Sequence, residues 1–337
     1  MLMKILTLES TCDETAAAVV TDELQVLGSV VASQDDLHRR FSGVVPEIAA
    51  RAHLEKILPV IDEALHNASV RLEDIDAIAV ANTPGLAGSL LVGLVAAKAL
   101  CLATGKPLVA INHLHAHIYA CRMAAGRDVF PCVGLIVSGG HTSLYHCASA
   151  SDFHYLGGTI DDAAGEAFDK VASMLGLAYP GGPAISEAAE KGNPKAFQFP
   201  RALGGEAGGL NFSFSGVKTA VRYAICGPQK ADFSAIHLSE QQVADLAASF
   251  QEAVVDSIVA KSRLAIRQTG ERTLCVGGGV AANRRLRDRL AELSQEIRVE
   301  LHIAPPAMCT DNAVMGAIAF ERLRVGKVEK LDLEALP

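Results

Sequence analysis

The sequence predicts an α/β protein built from two similar halves, and three observations support this fold class. Runs of β-branched apolar residues alternate with runs rich in alanine and leucine along the chain, as expected where strands alternate with helices. Half of the 337 residues are hydrophobic and 20% are charged, which is enough apolar material for a large core and excludes wholesale disorder. The order of predicted elements in the first half recurs in the second, which indicates an internal duplication.

Each half is predicted to open with two strands joined by a tight polar turn. The turns read Thr11-Cys12-Asp13-Glu14 and Ser138-Gly139-Gly140-His141. A later strand in each half leads through a glycine-containing loop into a helix, at 82–88 and at 277–279, and one more strand and helix close the half. Two such lobes around a central cleft are the plan of the actin-like ATPases, which include the sugar kinases and heat-shock chaperones. In that plan, strand turns and helix N-termini bind phosphates.

The repeat predicts where the lobes begin and end. The first lobe is expected to cover residues 1–128, and its last helix to carry His113 and His117. The second lobe is expected to cover 129–330, with a mainly helical insertion at about 152–240. The helix after Asp311 is expected to pack back on the first lobe.

Composition excludes several classes of protein. The 8 cysteines are scattered without a C-x-x-C pair, which argues against a zinc finger or a disulfide scaffold and favours a reducing, cytoplasmic location. The apolar stretch 86–103 has the length of a membrane span, but it contains Lys98 and two glycines. We interpret it as a buried helix and expect no membrane partner.

The net charge of −8 argues against a nucleic-acid binder held by bulk electrostatics alone. One predicted helix nevertheless carries a local basic patch, formed by Arg284, Arg285, Arg287 and Arg289. This patch is a candidate nucleic-acid contact, and the solvated face of a helix would show the same pattern.

His113-x-x-x-His117 is the sharpest local motif. On a helix these two side chains share a face, so that both imidazoles can bind one metal ion, and Asn112 is a suitable N-cap for such a helix. By the symmetry of the repeat, the element that opens at Asp311 matches the His113 helix. The three side chains then form a two-histidine, one-carboxylate set suited to iron(II), zinc or manganese. A polar helix face and a simple N-cap at Asp311 are the structural alternatives.

A metalloprotease is the obvious competing interpretation of paired histidines. Its H-E-x-x-H motif needs a glutamate beside the first histidine as general base. Leu114 occupies that position here, which weakens the protease hypothesis.

Three further segments offer groups for a phosphate or an acyl adenylate. These are the turn 137–141, the glycine run 277–279 with Asn283 after it, and the turn 179–183. Each would equally serve as an ordinary turn or loop. Asp162, Glu166 and Asp169 recur at helical spacing, either to contact a ribose or substrate hydroxyl or as a capped acidic helix.

Taken together, these motifs resemble one family over nearly the whole chain, the TsaD family of tRNA threonylcarbamoyladenosine transferases, once described as O-sialoglycoprotein endopeptidases. The similarity rests on several motifs that occur in the same order as in the family. They are Cys12-Asp13-Glu14-Thr15, Gly43-Val44-Val45-Pro46-Glu47, His113-x-x-x-His117, Ser138-Gly139-Gly140-His141, the segment 161–170, Phe212-Ser213-Phe214-Ser215-Gly216 and Cys309-Thr310-Asp311-Asn312.

The resemblance implies an actin-like fold and one divalent metal, iron(II) or zinc, held by His113, His117 and Asp311. It also implies a set of substrate contacts, namely Ile136, Val137, Ser138, Gly139, Gly140, Asp169, Gly182 and Asn283. His141 is the candidate general base. The chain departs from the family between the two histidines, where Leu114-His115-Ala116 replaces Met-Glu-Gly, and before Pro84, where a glycine is missing.

The implied reaction transfers the threonylcarbamoyl group from threonylcarbamoyl-AMP to an adenosine. That adenosine lies 3′ of the anticodon in tRNAs that read codons beginning with A, and AMP is released. The implied partners are tRNA, a TsaB-like paralogue and a TsaE-like ATPase. The alternatives are a non-catalytic ATP-binding regulator, the metalloprotease, and a sugar kinase, for which no convincing catalytic aspartate is present.

Overall fold

The computed structural model describes residues 2–41, 43–203, 208–227 and 237–337, and it divides the chain into two units. One unit comprises Met1–Asp128 together with Thr310–Pro337, and the other comprises Val129–Cys309. Parts of the predicted insertion, at 204–207 and 228–236, lie outside the described residues.

The first unit is built on a five-stranded sheet in the order β3-β2-β1-β4-β5. Its strands are β1 (Lys4–Glu9), β2 (Glu14–Thr21), β3 (Val26–Ser33), β4 (Ala77–Thr83) and β5 (Leu108–Asn112). The pairs β1/β2 and β2/β3 are antiparallel, whereas β4 and β5 extend the sheet in parallel from the other side of β1. The central strands are buried along nearly their whole length, as expected for a sheet covered on both faces.

Four helices of this unit precede residue 128: α1 (Asp35–His38), α2 (Pro46–Asn67), α3 (Ala87–Thr104) and α4 (His113–Ala125). Short 3-10 turns cover Arg39–Phe41 and Leu72–Asp74. Local sequence explains where the helices start. Pro46 stands at the first position of α2, where its missing N–H costs nothing. The Asn112 side chain accepts hydrogen bonds from the N–H groups of Leu114 and His115 at the start of α4, which confirms the predicted N-cap.

The second unit repeats the sheet of the first. Its strands are β6 (Cys132–Val137), β7 (Thr142–Ser149), β8 (Asp152–Gly158), β9 (Thr273–Gly277) and β10 (Glu300–Ile303). Their order is β10-β9-β6-β7-β8, with β6 antiparallel to β7 and parallel to β9. Read from the other edge, this is the order and direction of the first sheet. The internal duplication predicted from the sequence is therefore present in the described strands.

The helices of the second unit are α5 (Ala164–Met174), α6 (Gly181–Ala189), α7 (Ser215–Cys226), α8 (Glu240–Thr269), α9 (Arg284–Ile297) and α10 (Pro306–Cys309), with a 3-10 turn at Gly279–Ala282. A capping box starts α8: the Ser239 hydroxyl accepts from the N–H of Gln242, and the Gln242 side chain accepts from the N–H of Ser239. The predicted insertion contains α5, α6 and α7, but it begins with β8, the third strand of the sheet.

The C-terminal residues 310–337 belong to the first unit, whereas the second lobe is expected to extend to residue 330, with the helix after Asp311 packing back on the first lobe. Their 3-10 turn Val314–Ile318 packs on β1, and the helix α11 (Ala319–Arg324) that follows packs on β5. The Thr7 hydroxyl donates to the carbonyl oxygen of Ala313 over 2.5 Å. Gly316 lies so close that an added Cβ would come within 2.8 Å of the Thr7 Cβ. A side chain at residue 316 would therefore force this segment away from β1.

One helix, α3, is long and apolar enough to cross a membrane, judged by length and composition alone. It packs against α2 and β4 and buries seven residues, among them Leu90, Leu94 and Ala97. Core helices of globular proteins share these properties.

His53 on α2 predicts one feature of the pH dependence of stability. Its side chain is fully buried, and burial lowers its pKa below 6.5 although Cys12 O accepts a hydrogen bond from the ring. Below pH 6.5 the unfolded chain takes up a proton that the folded protein does not, so stability falls as the pH falls through this range. We expect His53→Gln to lose less of its unfolding temperature than the wild type between pH 7.5 and 5.5. Parallel losses in thermal melts would contradict this.

Candidate functional site

The first unit brings His113, His117 and Asp311 together. Their three ligand atoms lie within 4.8 Å of one another. The Asp311 Oδ1 atom is 3.5 Å from His113 Nε2 and 3.1 Å from His117 Nε2. Both imidazoles are buried, and the Asp311 side chain is 16% exposed. The three predicted side chains thus converge on one point, and of the three only Asp311 is partly exposed to solvent.

Helix geometry and a single bend place these groups. His113 is the first residue of α4, and His117 follows one turn later on the same face. Asp311 lies in a bend before the 3-10 turn, so the helix expected to open at Asp311 opens at Val314 instead. Asn312 acts as the cap, because its side chain accepts a hydrogen bond from the N–H of Met315. The Asp311 carboxylate is thereby left to face the histidines.

The electrostatics of the site favour positive charge. Burial lowers the pKa of His113, but the carboxylates of Asp311 and Glu9 outweigh that effect and raise the pKa to about 9. Asp13, Glu14 and Asp35 form a second group of carboxylates within 4.8 Å of one another. Burial, together with the charges of Asp311 and Asp13, raises the pKa of Glu14 to about 10. A cation among these groups would relieve their mutual repulsion.

His115 takes no part in the set of three ligand atoms, although it lies between the two histidines in sequence. Burial, reinforced by the nearby Arg322, lowers its pKa to about 4. The extra histidine of this chain is therefore a neutral side chain at pH 7 that occupies another side of α4.

In the second unit, the predicted substrate residues gather at the ends of β6 and β9. Ile136 and Val137 are buried in β6, and Ser138 opens the turn into β7 by donating its N–H to the carbonyl of His141 over 2.8 Å. The N–H groups of Gly165 and Glu166 on α5 donate to the carbonyls of Ser138 and Gly139, each over 3.1 Å. The segment therefore forms an ordinary hairpin turn between β6 and β7, as the structural interpretation of the sequence predicts. The N-terminus of α5 also holds this turn in place.

Gly278 supports the same segment from the side of β9. Its φ is +94°, and an added Cβ would lie 2.4 Å from the carbonyl oxygen of Val137. Only glycine fits this close backbone approach. The glycine run 277–279 is expected to approach a ligand. One of its residues, Gly278, is instead required for the close approach to the backbone of Val137.

Asp169 and Asn283 both organise helix starts. One Asp169 oxygen accepts from the N–H of Gly181 over 2.7 Å, at the beginning of α6 next to Gly182. The Asn283 oxygen accepts from the N–H of Leu286 and caps α9. Its amide nitrogen donates to Ser186 Oγ (2.9 Å) and Gln251 Oε1 (2.8 Å). Ser186 and Gln251 could not be predicted from the sequence, because no local pattern links them to Asn283.

Two hypotheses about charged residues change with the structure. Lys170 bridges Asp162 and Glu166 over 2.8 and 2.7 Å, so these two carboxylates form internal ion pairs. In the basic patch, most of the guanidinium groups have partners within the protein. Arg285 forms an ion pair with Glu252, and Arg289 forms ion pairs with Glu252 and Asp256. Arg287 donates to the carbonyl of Ala304. Arg285 and Arg289 thus offer little free positive charge to a nucleic acid.

Comparison with solved structures identifies the fold class. T. kodakarensis HypF matches 96% of this chain and 48% of its own with a TM-score of 0.64 at 14% identity. The Acidaminococcus fermentans (R)-2-hydroxyglutaryl-CoA dehydratase component A matches 97% and 100% with a TM-score of 0.54 at 15% identity. These proteins share the actin-like ATPase fold. The chain is therefore an actin-like α/β protein, which confirms the predicted fold class.

Sequence comparison gives the family. The model of the TsaD family, described as tRNA N6-adenosine threonylcarbamoyltransferase, matches residues 25–318. A protein of that name from Rhodopirellula baltica is 57% identical over 99% of this chain and 96% of its own, and one from Kosmotoga olearia is 47% identical over 99% and 98%. The chain belongs to the TsaD family of tRNA N6-adenosine threonylcarbamoyltransferases. The predicted transferase activity on tRNA is confirmed, and the metalloprotease hypothesis is set aside.

Proposed function

We propose that the protein transfers a threonylcarbamoyl group from threonylcarbamoyl-AMP to an adenosine 3′ of the anticodon in tRNAs reading codons that begin with A. The exocyclic amine attacks the carbamoyl carbon, the bond from that carbon to the AMP oxygen breaks, and the amine loses a proton. Since the adenylate is already activated, the protein mainly has to position the reactants and stabilise charge. The observation that supports this most is the convergence of His113, His117 and Asp311.

We propose that these three side chains hold one divalent metal ion, with iron(II) preferred and zinc as the alternative. Two imidazole nitrogens and one carboxylate oxygen are the donor set that such ions prefer. The neighbouring carboxylates, which raise the pKa of His113, support the proposal because they would stabilise a bound cation. When bound, the metal would act as a Lewis acid toward a substrate carbonyl.

The second unit would bind the adenylate. The segment 136–140 offers backbone groups and small side chains that α5 and Gly278 hold in place. Asp169 and Gly182 at the start of α6, and Asn283 with Ser186 and Gln251, would position the nucleotide or threonyl part. His141 remains the candidate general base.

The test is a nucleoside analysis of unmodified tRNA incubated with the protein, iron(II), threonylcarbamoyl-AMP and its helper proteins. We expect threonylcarbamoyladenosine and an equal amount of AMP to form. Helpers that work with a known transferase but give no product here would favour the ATP-binding regulator.

We further propose that a TsaB-like subunit binds the exposed apolar face of α2 and α3, and that a TsaE-like ATPase completes the assembly. This face comprises Leu54, Leu58, Leu91, Val95 and Leu102, which are 51–75% exposed. Groups of exposed apolar side chains on neighbouring helices are candidates for interaction sites. A paralogous subunit would carry an equivalent helix pair, which makes a symmetric packing of helix pair on helix pair possible.

We expect the double variant Leu54→Glu/Leu58→Glu to weaken binding of the TsaB-like subunit by at least about 100-fold, because two charges would be buried against an apolar partner. Size-exclusion chromatography and calorimetry would measure this. Lys56→Glu, an equally exposed change on another face of α2, is the matched control. Unchanged association of the double variant would place the partner elsewhere.

A further inference from the structure

Glu9 is a buried carboxylate that touches the proposed metal site without belonging to it. It is the last residue of β1 and is 3% exposed. Its Oε2 atom lies 3.1 Å from Nδ1 of His113, the ring nitrogen that faces away from Asp311. A buried charge is costly unless it is held by hydrogen bonds, so this contact needs a reason.

The Glu9 carboxylate is fixed from its other side. Its Oε1 atom accepts a hydrogen bond of 2.8 Å from the N–H of Thr11. The carbonyl of Thr11 in turn accepts from the N–H of Leu86, at the loop before α3, over 2.8 Å. The Thr11 hydroxyl lies 3.3 Å from the same His113 nitrogen. The turn after β1 and the loop after β4 thus hold the carboxylate against the imidazole.

This arrangement decides which nitrogen of His113 can bind a metal. An ionised carboxylate is only an acceptor, so it holds a proton on Nδ1. The neutral ring then carries its lone pair on Nε2, the atom directed at Asp311. His117 lacks such support, because its buried Nδ1 has no hydrogen-bond partner among the described residues. Of the two rings, His113 is therefore the one that a carboxylate orients through Nδ1 within the described part of the chain.

We propose that Glu9 is a positioning residue that fixes the ring orientation and the tautomer of His113 for metal binding. This inference rests on the proposed function of His113, His117 and Asp311. Carboxylates in this position orient histidine ligands and raise their basicity, and their loss commonly lowers metal affinity by about 10- to 100-fold.

Glu9→Gln tests the role with little change in volume. Thr11 and His113 contact different oxygens of the Glu9 carboxylate, and glutamine replaces one of these oxygens with an N–H₂ group that would face one of the two donors. We expect the affinity for cobalt(II), measured by competition with a chromophoric chelator, to fall by about 10- to 100-fold. We also expect the visible spectrum of the cobalt-loaded protein to change. In the zinc-loaded protein, the downfield proton signal of His113 Nδ1 should be lost.

Glu321→Gln is the matched control. Glu321 is a half-buried glutamate of the same unit that pairs with Arg122 and accepts from the Tyr119 hydroxyl. This variant should be less stable but should bind cobalt(II) normally, with an unchanged spectrum. Wild-type affinity and spectrum in Glu9→Gln would overturn the positioning role and leave the metal site standing. A wild-type protein that binds no cobalt(II) would overturn the metal site itself, and the role of Glu9 with it.

Discussion

Replacing His113 by alanine is expected to abolish metal retention and to reduce threonylcarbamoyl transfer by about three orders of magnitude. The variant removes one of the three proposed ligands and leaves Asp311 3.1 Å from a single histidine. Loss of Lewis-acid stabilisation is worth several kcal/mol, and about 4 kcal/mol corresponds to a thousandfold change in rate. Metal content after gel filtration and the rate of nucleoside formation should fall together.

His115→Gln provides the control for this variant. It changes a histidine of the same helix that lies outside the ligand set, so metal content should stay at the wild-type value. Thermal melts would establish that both variants are folded. A fully active His113→Ala protein without metal would contradict the proposed mechanism.

The second large effect is expected from Gly278→Ala. The added methyl group would lie 2.4 Å from the carbonyl oxygen of Val137 and 3.2 Å from the Ser138 Cβ, at a φ of +94°. At this φ and a ψ of 159° the backbone lies in a region that essentially only glycine adopts, and holding a residue with a Cβ there costs about 1–3 kcal/mol. The clash should also displace the segment 136–140. We expect the KM for threonylcarbamoyl-AMP to rise by at least about tenfold.

Gly279→Ala is the matched control for Gly278→Ala, since nothing lies within 4 Å of a Cβ at residue 279 and its φ is not positive. Its kinetics should be close to those of the wild type. Metal content should be normal in both variants, because the proposed ligands lie in the other unit. Equal kinetics for the two alanine variants would show that the position of segment 136–140 does not determine adenylate binding.

Local and periodic features of this fold could be predicted from the sequence. Alternating apolar runs and short polar turns located the hairpins at the start of each half, because strand period and turn chemistry are encoded within a few residues. Asn112 marked the start of α4 for the same reason. The repeat then related Asp311 to the His113 helix, although 194 residues separate His117 from Asp311.

Features that depend on distant packing could not be predicted in this way. The helix expected at Asp311 begins later because Asn312 caps the following turn while Thr7 anchors Ala313. Arg285 and Arg289 looked basic in sequence, but Glu252 from another helix neutralises them. Glu9 ends an ordinary strand, and only the folded unit shows that its carboxylate meets His113.

The placement of residues 310–337 in the first unit has a consequence for synthesis of the protein on the ribosome. Asp311 is synthesised 194 residues after His117. At 5–20 residues per second, this separation corresponds to a delay of about 10–40 s. The whole second unit emerges during this interval. The nascent chain therefore carries both imidazoles without the Asp311 carboxylate for most of its translation. The three side chains can come together only when translation is nearly finished.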